Sequence, residues 1–387
     1  MILQFVVVAF QVLQTSATFS IENKLDLPRQ EVVSIPMEKI EQILGEKTDP
    51  AKVLLEDKTS NQKVLIQWVD ENQDGQMEEM LFWANLKENE IKSYKISLSL
   101  TPTQTSEPDE RTFARFVPER IDDIAWENDK VAFRTYGPEA ERIVVEKKPG
   151  GTLTSGIDAW LKRVSYPIID KWYQKHVAGG SYHQDTGEGY DPYHVGDSRG
   201  IGGIGVWLDD SLYVSRNFTE YKILANGPLR TIIQLNYAPW KAGTITVKET
   251  KKISIDLGSQ FYHMEEFLES DEPLPNVTTG ITLHEGKGKA YADATSGWIS
   301  YWETIDDAQL GTGIVTYPAH ILEQFEHKSL TKDQSHSYLS LDPRKKVSYF
   351  AGFGWEKAGE FSSAAEWNLH LTQFSRKLLS PLTVTFN

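Results

Sequence analysis

The 387-residue chain contains no cysteine. Disulfides, thiolate zinc sites, cysteine nucleophiles and lipid attachment through cysteine are therefore excluded. Positive charge is scarce as well: 40 Lys and Arg stand against 55 Asp and Glu, a formal net charge of −15. Such a balance argues against nucleic acid or an anionic membrane as a partner, although a local basic pocket can still accept a small anion. Long apolar runs are missing too. The one candidate, Ile2 to Leu13, is too short to span a bilayer. Internal repeats are not evident, and stretches with helical periodicity are few.

What is present points to a β-rich globular protein. The chain is 40% hydrophobic, 25% charged and 11% aromatic, with 11 Trp and 16 Tyr. That suffices for a packed core. Aromatic abundance is common both in sugar-binding proteins and in ordinary sandwich cores. The apolar N-terminal run ends in Thr15-Ser16-Ala17, a small-x-Ala pattern, so residues 1–17 read as an export leader to a bacterial periplasm. No basic residues precede the run, and a buried first strand is the alternative. Residues 18–387 then form a single catalytic domain.

Strand-like segments fill that domain. "KVLIQWVD" and "EMLFWANL" flank "ENQDGQME", and "SYKISLSL" follows as a meander. Thr101 to Glu110 is a polar, proline-bearing linker. "KVAFRTYG", "ERIVVEKK", "GIGVWL", "LRTIIQLNYAPW" and "GTITVKETKKISIDL" continue the strand pattern, with almost no helix between them. One helix is expected near the end. Ser363 and Glu366 make an S-x-x-E capping box, and Trp367, Leu371, Phe374 and Leu378 recur at helical spacing. The fold class is all-β, a large antiparallel β-sandwich with a C-terminal helix.

Three segments carry chemistry. Asp70, Asn72, Asp74 and Gly75 open an oxygen-ligand calcium loop that Glu78 or Glu79 would complete, although Leu81 occupies the twelfth position. The same residues serve equally as a hairpin tip. Between Arg111 and Glu139, arginines alternate with carboxylates. Arg120 and Arg134 are candidates for holding a ligand carboxylate, or for internal pairs tying strands together. Asp123, Trp126 and Asn128 beside them suit a sugar platform or a core, and Lys171 and Arg199 complete the substrate-binding set. The third segment is "GGSYHQDTGEGYDPYHVGDSRGIGG", Gly179 to Gly203. Tyr182, His183, Asp185, Glu188 and Tyr193 place acid, base and phenol on one glycine-hinged loop, the combination that proton transfer requires. His183, Asp185 and Glu188 are alternatively metal ligands.

"VPERIDDIAWENDKVAFRTYGP", "SGIDAW", "DKWY", "YHQDTGEGYDPYHVG", "GGIGVW" and "GPLRT" resemble, in order, the signature blocks of the DUF4861 family. "VDENQDGQMEEMLFWANL" and "FAGFGWEKAGEFSSAAEWNLHL" fit as well, so the resemblance runs from about Phe19 to the C-terminus. It implies a galactose-mutarotase-like supersandwich and a place in polysaccharide utilisation. A branch of the family that this chain resembles is an ulvan oligosaccharide dehydratase of marine Bacteroidetes. The implied reaction removes water across C4–C5 of a saturated uronic acid at the non-reducing end.

That chemistry needs a cation on the carboxylate, a base for the C5 proton and an acid for the departing O4 hydroxyl. In a glucuronyl unit the C5 hydrogen and O4 share a ring face, so one group can serve twice; in an iduronyl unit they do not. Tyr182, His183 and Tyr193 are expected to move the protons, with Asp185 or Glu188 orienting the imidazole. The partner is an anionic oligosaccharide, and no cofactor is called for beyond a structural calcium. Two rivals share these features: a polysaccharide lyase or mutarotase-like epimerase on the same fold, and a non-catalytic sugar-binding protein.

Overall fold

Buried and more exposed residues alternate without a break along Ile245–Asp256, with the charged Glu249 and Lys251 among the buried ones. Side chains in a strand point alternately to opposite faces, so such a segment has one face to bury. It pairs antiparallel with Arg230–Tyr237 on one side and Phe261–Ser270 on the other, at the centre of a nine-stranded sheet. The computed structural model describes residues 15–45, 47–102 and 111–386.

Two five-stranded antiparallel sheets form the opposite layer. One runs from Phe113–Val117 to Gly189–Tyr190, and the other contains Ile201–Leu208 and Val277–Thr282. A parallel bridge between Ile157 and Gly200 joins them edge to edge. Gly200 has φ +59°, and a Cβ there would lie 1.9 Å from the Ile157 carbonyl oxygen, so the junction admits only glycine. Between the layers Phe133, Leu235, Ile253, Tyr262 and Phe353 are packed in one continuous core. The expected large antiparallel sandwich is thus present.

A smaller sandwich accompanies it. Ser16–Glu22, Val53–Asp57, Ile91–Leu98 and Thr383–Phe386 form a four-stranded sheet facing the three strands Arg29–Pro36, Ile66–Val69 and Glu79–Leu86. Phe19, Phe82, Tyr94 and Ile96 fill a separate core between them. Ser16 and Ala17 already pair with Ser97 and Ile96, so the expected cleavage point after Ala17 falls inside a strand. The apolar run Ile2 to Leu13 and most of the polar linker lie outside the described residues.

Among the described residues four α-helices punctuate the strands: α1 (Met37–Leu44), α2 (Pro138–Val145), α3 (Ile169–Val177) and α4 (Ala364–Leu379). α4 is the expected C-terminal helix. The Glu366 N–H donates to Ser363 Oγ at 3.3 Å, while the Glu366 carboxylate accepts from the Ser362 N–H rather than that of Ser363. Trp367 and Leu371 are fully buried on the nine-stranded sheet. α2 and α3 correct the reading of a strand-only middle. "ERIVVEKK" is helical despite its β-branched run, because Pro138 presets the first turn and Glu139 and Glu141 face the helix N-terminus. Arg142 then bonds to Glu139 and Glu146 along one face.

Candidate functional site

Three adjacent strands of the larger sandwich bring buried charges together. Arg134 stands in the middle of Ala132–Tyr136, directly opposite Asp158 on Asp158–Lys162, with Asp123 on the other neighbouring strand. The loop from Gly179 to Gly203 folds over this point. The Asp191 N–H donates to the Tyr182 carbonyl at 2.9 Å, which closes the intervening residues into a tight loop and turns both side chains inward.

Arg134 is only 5% exposed, and its guanidinium is fully used. Nε donates to Asp158 Oδ2 at 2.6 Å, and Nη2 donates to Asp191 Oδ2 at 2.7 Å. Nη1 reaches the Tyr182 hydroxyl at 3.1 Å and Asp123 Oδ2 at 3.4 Å. Arg134 therefore is not a free grip for a ligand carboxylate. It is the internal tie. Around it, burial pushes the Asp123 carboxyl up to about 6, against the pull of Arg134 and Arg120. Burial likewise pushes Asp191 well above the usual carboxylate range, reinforced by Asp158 and Asp123. One guanidinium cannot hold three buried carboxylates ionised at once.

Two groups at the edge of this network remain accessible. Arg120 is half-buried, and among the described residues its one hydrogen bond runs from Nε to the Tyr182 hydroxyl at 3.0 Å. Its Nη1 and Nη2 make no hydrogen bond or ion pair among the described residues. His183 is exposed, and its Nδ1 lies 2.8 Å from the Asp191 carbonyl oxygen and 3.4 Å from Asp191 Oδ2. A carbonyl can only accept, so Nδ1 carries the proton and Nε2 of the neutral ring presents a lone pair outward. The two are linked by an unbroken chain of contacts: Arg120, Tyr182, Arg134, Asp191, His183. A cation and a ring nitrogen are thus tied into one network.

Tyr182 itself is 1% exposed, with its hydroxyl enclosed between the two arginines. It positions Arg120 and does not reach out to a ligand. His176 was not singled out from the sequence. Its ring lies 4.9 Å from that of Tyr182, with His183 at 4.5 Å on the same phenol. Burial and the neighbouring guanidiniums of Arg120 and Arg134 lower its basicity. Tyr173 was missed as well. Its hydroxyl donates to Asp123 at 2.9 Å. Reading "DKWYQKH" as a helix would have put Tyr173 and His176 three apart on one face.

The other expected residues lie elsewhere. Asp185 pairs with Arg163 and accepts the Gly187 N–H at 2.9 Å, shaping the loop rather than orienting His183. Glu188 is bound by Lys171 and the Tyr166 hydroxyl, so neither it nor Lys171 faces the site. His183, Asp185 and Glu188 thus have three separate partners and do not converge on a metal. Tyr193 packs edge-on against His284 at 4.6 Å, and its hydroxyl is buried. Arg199 is buried and bonds to Ser155, Thr154 and the Ile204 carbonyl, bracing the junction of the two smaller sheets. Trp126 is a core residue packed on Phe133 and Tyr262, not a sugar platform. Asn128 pins its hairpin to the Asp256 and Ser259 carbonyls at 2.6 and 2.7 Å.

At the hairpin tip of the smaller sandwich, ligand oxygens of Asp70, Asp74 and Glu78 lie within 4.8 Å of one another. The tip is also satisfied internally. Asp70 accepts from the Asp74 and Gly75 N–H groups at 3.1 and 2.8 Å, and Asn72 donates to Glu78 at 2.6 Å.

A family model described as "Domain of unknown function (DUF4861)" matches residues 21–384. "Uncharacterized protein P7" of Formosa agariphila is 41% identical over 370 residues, covering 95% of this chain and 92% of that protein. Among solved structures, an alpha-mannosidase from Enterococcus faecalis aligns with a TM-score of 0.44 and 9% identity, 96% of this chain on 46% of that one. A glycosyl hydrolase family 38 protein from the same organism gives 0.46 and 10%, with 96% on 47%. The chain spans about half the length of these two structures.

Proposed function

Since this chain belongs to the DUF4861 family, we propose that it is a carbohydrate hydro-lyase that removes water across C4–C5 of a saturated uronic acid at the non-reducing end of an ulvan-type oligosaccharide. The observation that carries the reading is the chain of contacts from Arg120 through Tyr182, Arg134 and Asp191 to His183.

In this reading Arg120 takes the uronate carboxylate and stabilises the charge that grows on it as C5 loses its proton. His183 Nε2 removes that proton. The C5–H electron pair forms the C4=C5 bond, and the C4–O4 bond breaks. For a glucuronyl unit the resulting imidazolium sits on the face that carries O4, and its proton leaves with O4 as water. Tyr182, Arg134, Asp123 and Asp191 touch no substrate atom; they hold the two working groups in register. A sugar-binding protein would have no use for a base whose tautomer is fixed, and that favours catalysis over the non-catalytic rival. Export to the periplasm is part of the same reading, since such substrates arise outside the cytoplasm.

The test is absorbance of the conjugated unsaturated uronate on a saturated oligouronide, with chain length followed in parallel. A dehydratase produces the chromophore without shortening the chain, whereas a lyase shortens it. His183→Ala is expected to lose on the order of a hundredfold or more in rate, the scale of a general acid–base group. Near-full activity in that variant would remove His183 from the mechanism.

A further inference from the structure

A cleft of about 850 Å³ lies between the smaller sandwich and the larger one, and neither Arg120 nor His183 lines it. Clefts between packed units of this volume are common ligand sites. Trp83 and Leu65 line it from the smaller sandwich, and Tyr166 lines it from the segment before α3. Tyr166 is 48% exposed and Leu65 39%, so both present apolar surface to the cleft. The outer edge of the Trp83 ring abuts Gly258, where an added Cβ would meet it at 2.6 Å.

The polar lining is chemically selective. Gln30, Gln62, Asn85, Ser60 and Ser165 each offer both donors and acceptors. Lys63, Lys92 and Lys130 also reach the cleft, in a protein whose formal charge is −15. Lys92 is held by Asp57 at 2.9 Å and Lys130 by Glu360. Lys63 is exposed and has no carboxylate within 4.0 Å among the described residues. Aromatic faces, amides, hydroxyls and an unsatisfied cation together match a polyhydroxylated ring carrying negative groups.

We propose that this cleft is a second binding site, separate from the Arg120–His183 network, for an acidic oligosaccharide. Trp83 and Tyr166 stack on its rings, and Lys63 meets a carboxylate or sulfate. The site does not depend on any reaction at His183. It sits beside the loop that carries His183, because Tyr166 bonds to Glu188 of that loop.

The experiment is calorimetric titration of the full chain with three probes: a sulfated oligouronide, the same oligouronide without sulfate, and a neutral oligosaccharide of equal length. Titrations are made in the His183→Ala background, so that no probe is consumed. Tyr166→Ala, whose side chain is exposed, and Trp83→Ala are each expected to weaken binding of the acidic probes by at least about tenfold, as for a stacked aromatic contact. Lys63→Gln is expected to weaken the acidic probes and leave the neutral one unchanged. Loss confined to the sulfated probe identifies sulfate as the group met by Lys63, and equal loss for both acidic probes identifies carboxylate. A melt of each variant matching the parent keeps the comparison one of binding. Unchanged affinity for all probes in both Tyr166→Ala and Lys63→Gln would overturn the proposal. That result would leave the His183 reading intact, because His183 is tested by turnover on an otherwise unaltered cleft.

Discussion

Replacing Arg134 by alanine separates an internal tie from a substrate grip. The substitution leaves Asp123, Asp158 and Asp191, each at most 3% exposed, without their shared cation. Two of the lost bonds are short and charge-assisted, at 2.6 and 2.7 Å. Hydrogen bonds to charged groups contribute about 1.5–3 kcal/mol each, and breaking one partner of a buried ion pair costs about 3–5 kcal/mol. We therefore expect Arg134→Ala to lose about 4 kcal/mol at neutral pH, measured by urea unfolding. The deficit should depend on pH. Arg134 opposes the burial that raises Asp123 to about 6, so removing it raises the folded-state value further. An acid whose folded pKa is raised contributes stability below its unfolded pKa and loses it as pH rises through the folded value. The gap between variant and parent should thus widen from pH 5 to pH 8. A gap under about 1 kcal/mol, or one that widens on acidification, would refute the account of Arg134 as a tie. A ligand-gripping arginine would instead leave unfolding unchanged and weaken only substrate binding.

Burial lowers the His263 imidazole to about 4, and its ring bonds to Ser348 at 2.7 Å. A depressed folded pKa means stability present above about 6.5 and lost toward 4, so relative to parent His263→Gln should gain up to about 1.4 kcal/mol per pH unit across that window, read by urea unfolding at several pH values. A parallel pair of curves would show that His263 is protonated in the fold. At the Asp70 hairpin the carboxylates are already satisfied by the turn, so melting with calcium and with chelator is expected to coincide. A chelator-sensitive melt that Asp74→Ala abolishes would instead reveal a bound ion. Export is checked by N-terminal sequencing from the native host, where the mature chain is expected to begin near Thr18 and an intact Met1 would contradict the leader.

The sandwich and α4 were legible because two-residue and helical periodicities report directly on which face is buried. α2 was not, because Ile143-Val144-Val145 carries a strand composition inside a helix set by Pro138 and its charge pattern. The site was legible in part. Density of ionisable groups pointed to the loop that folds over Arg134, and to Arg120, Tyr182 and His183. It could not say which of several carboxylates turns inward, since that depends on loop closure and on which strand lies opposite. Asp191, on the loop, bonds to Arg134 on a strand far away in sequence, whereas Asp185 and Glu188, nearer to His183 along the chain, are drawn away by Arg163 and Lys171. Long-range register decides such matters, and no local pattern encodes it.

The pairing of Ser16–Glu22 with Thr383–Phe386 has a consequence for how the molecule is made. Phe19 meets Phe386, far along the sequence, so the four-stranded sheet of the smaller sandwich cannot be completed until Thr383–Phe386 have left the ribosome. Until then the first strand has one bare edge, open to pairing with another chain. Contacts of such sequence separation close late and slowly. A chain halted a few residues early would keep an intact larger sandwich and Arg120–His183 network, yet carry a sticky strand edge. Aggregation, rather than lost chemistry, would be its first defect.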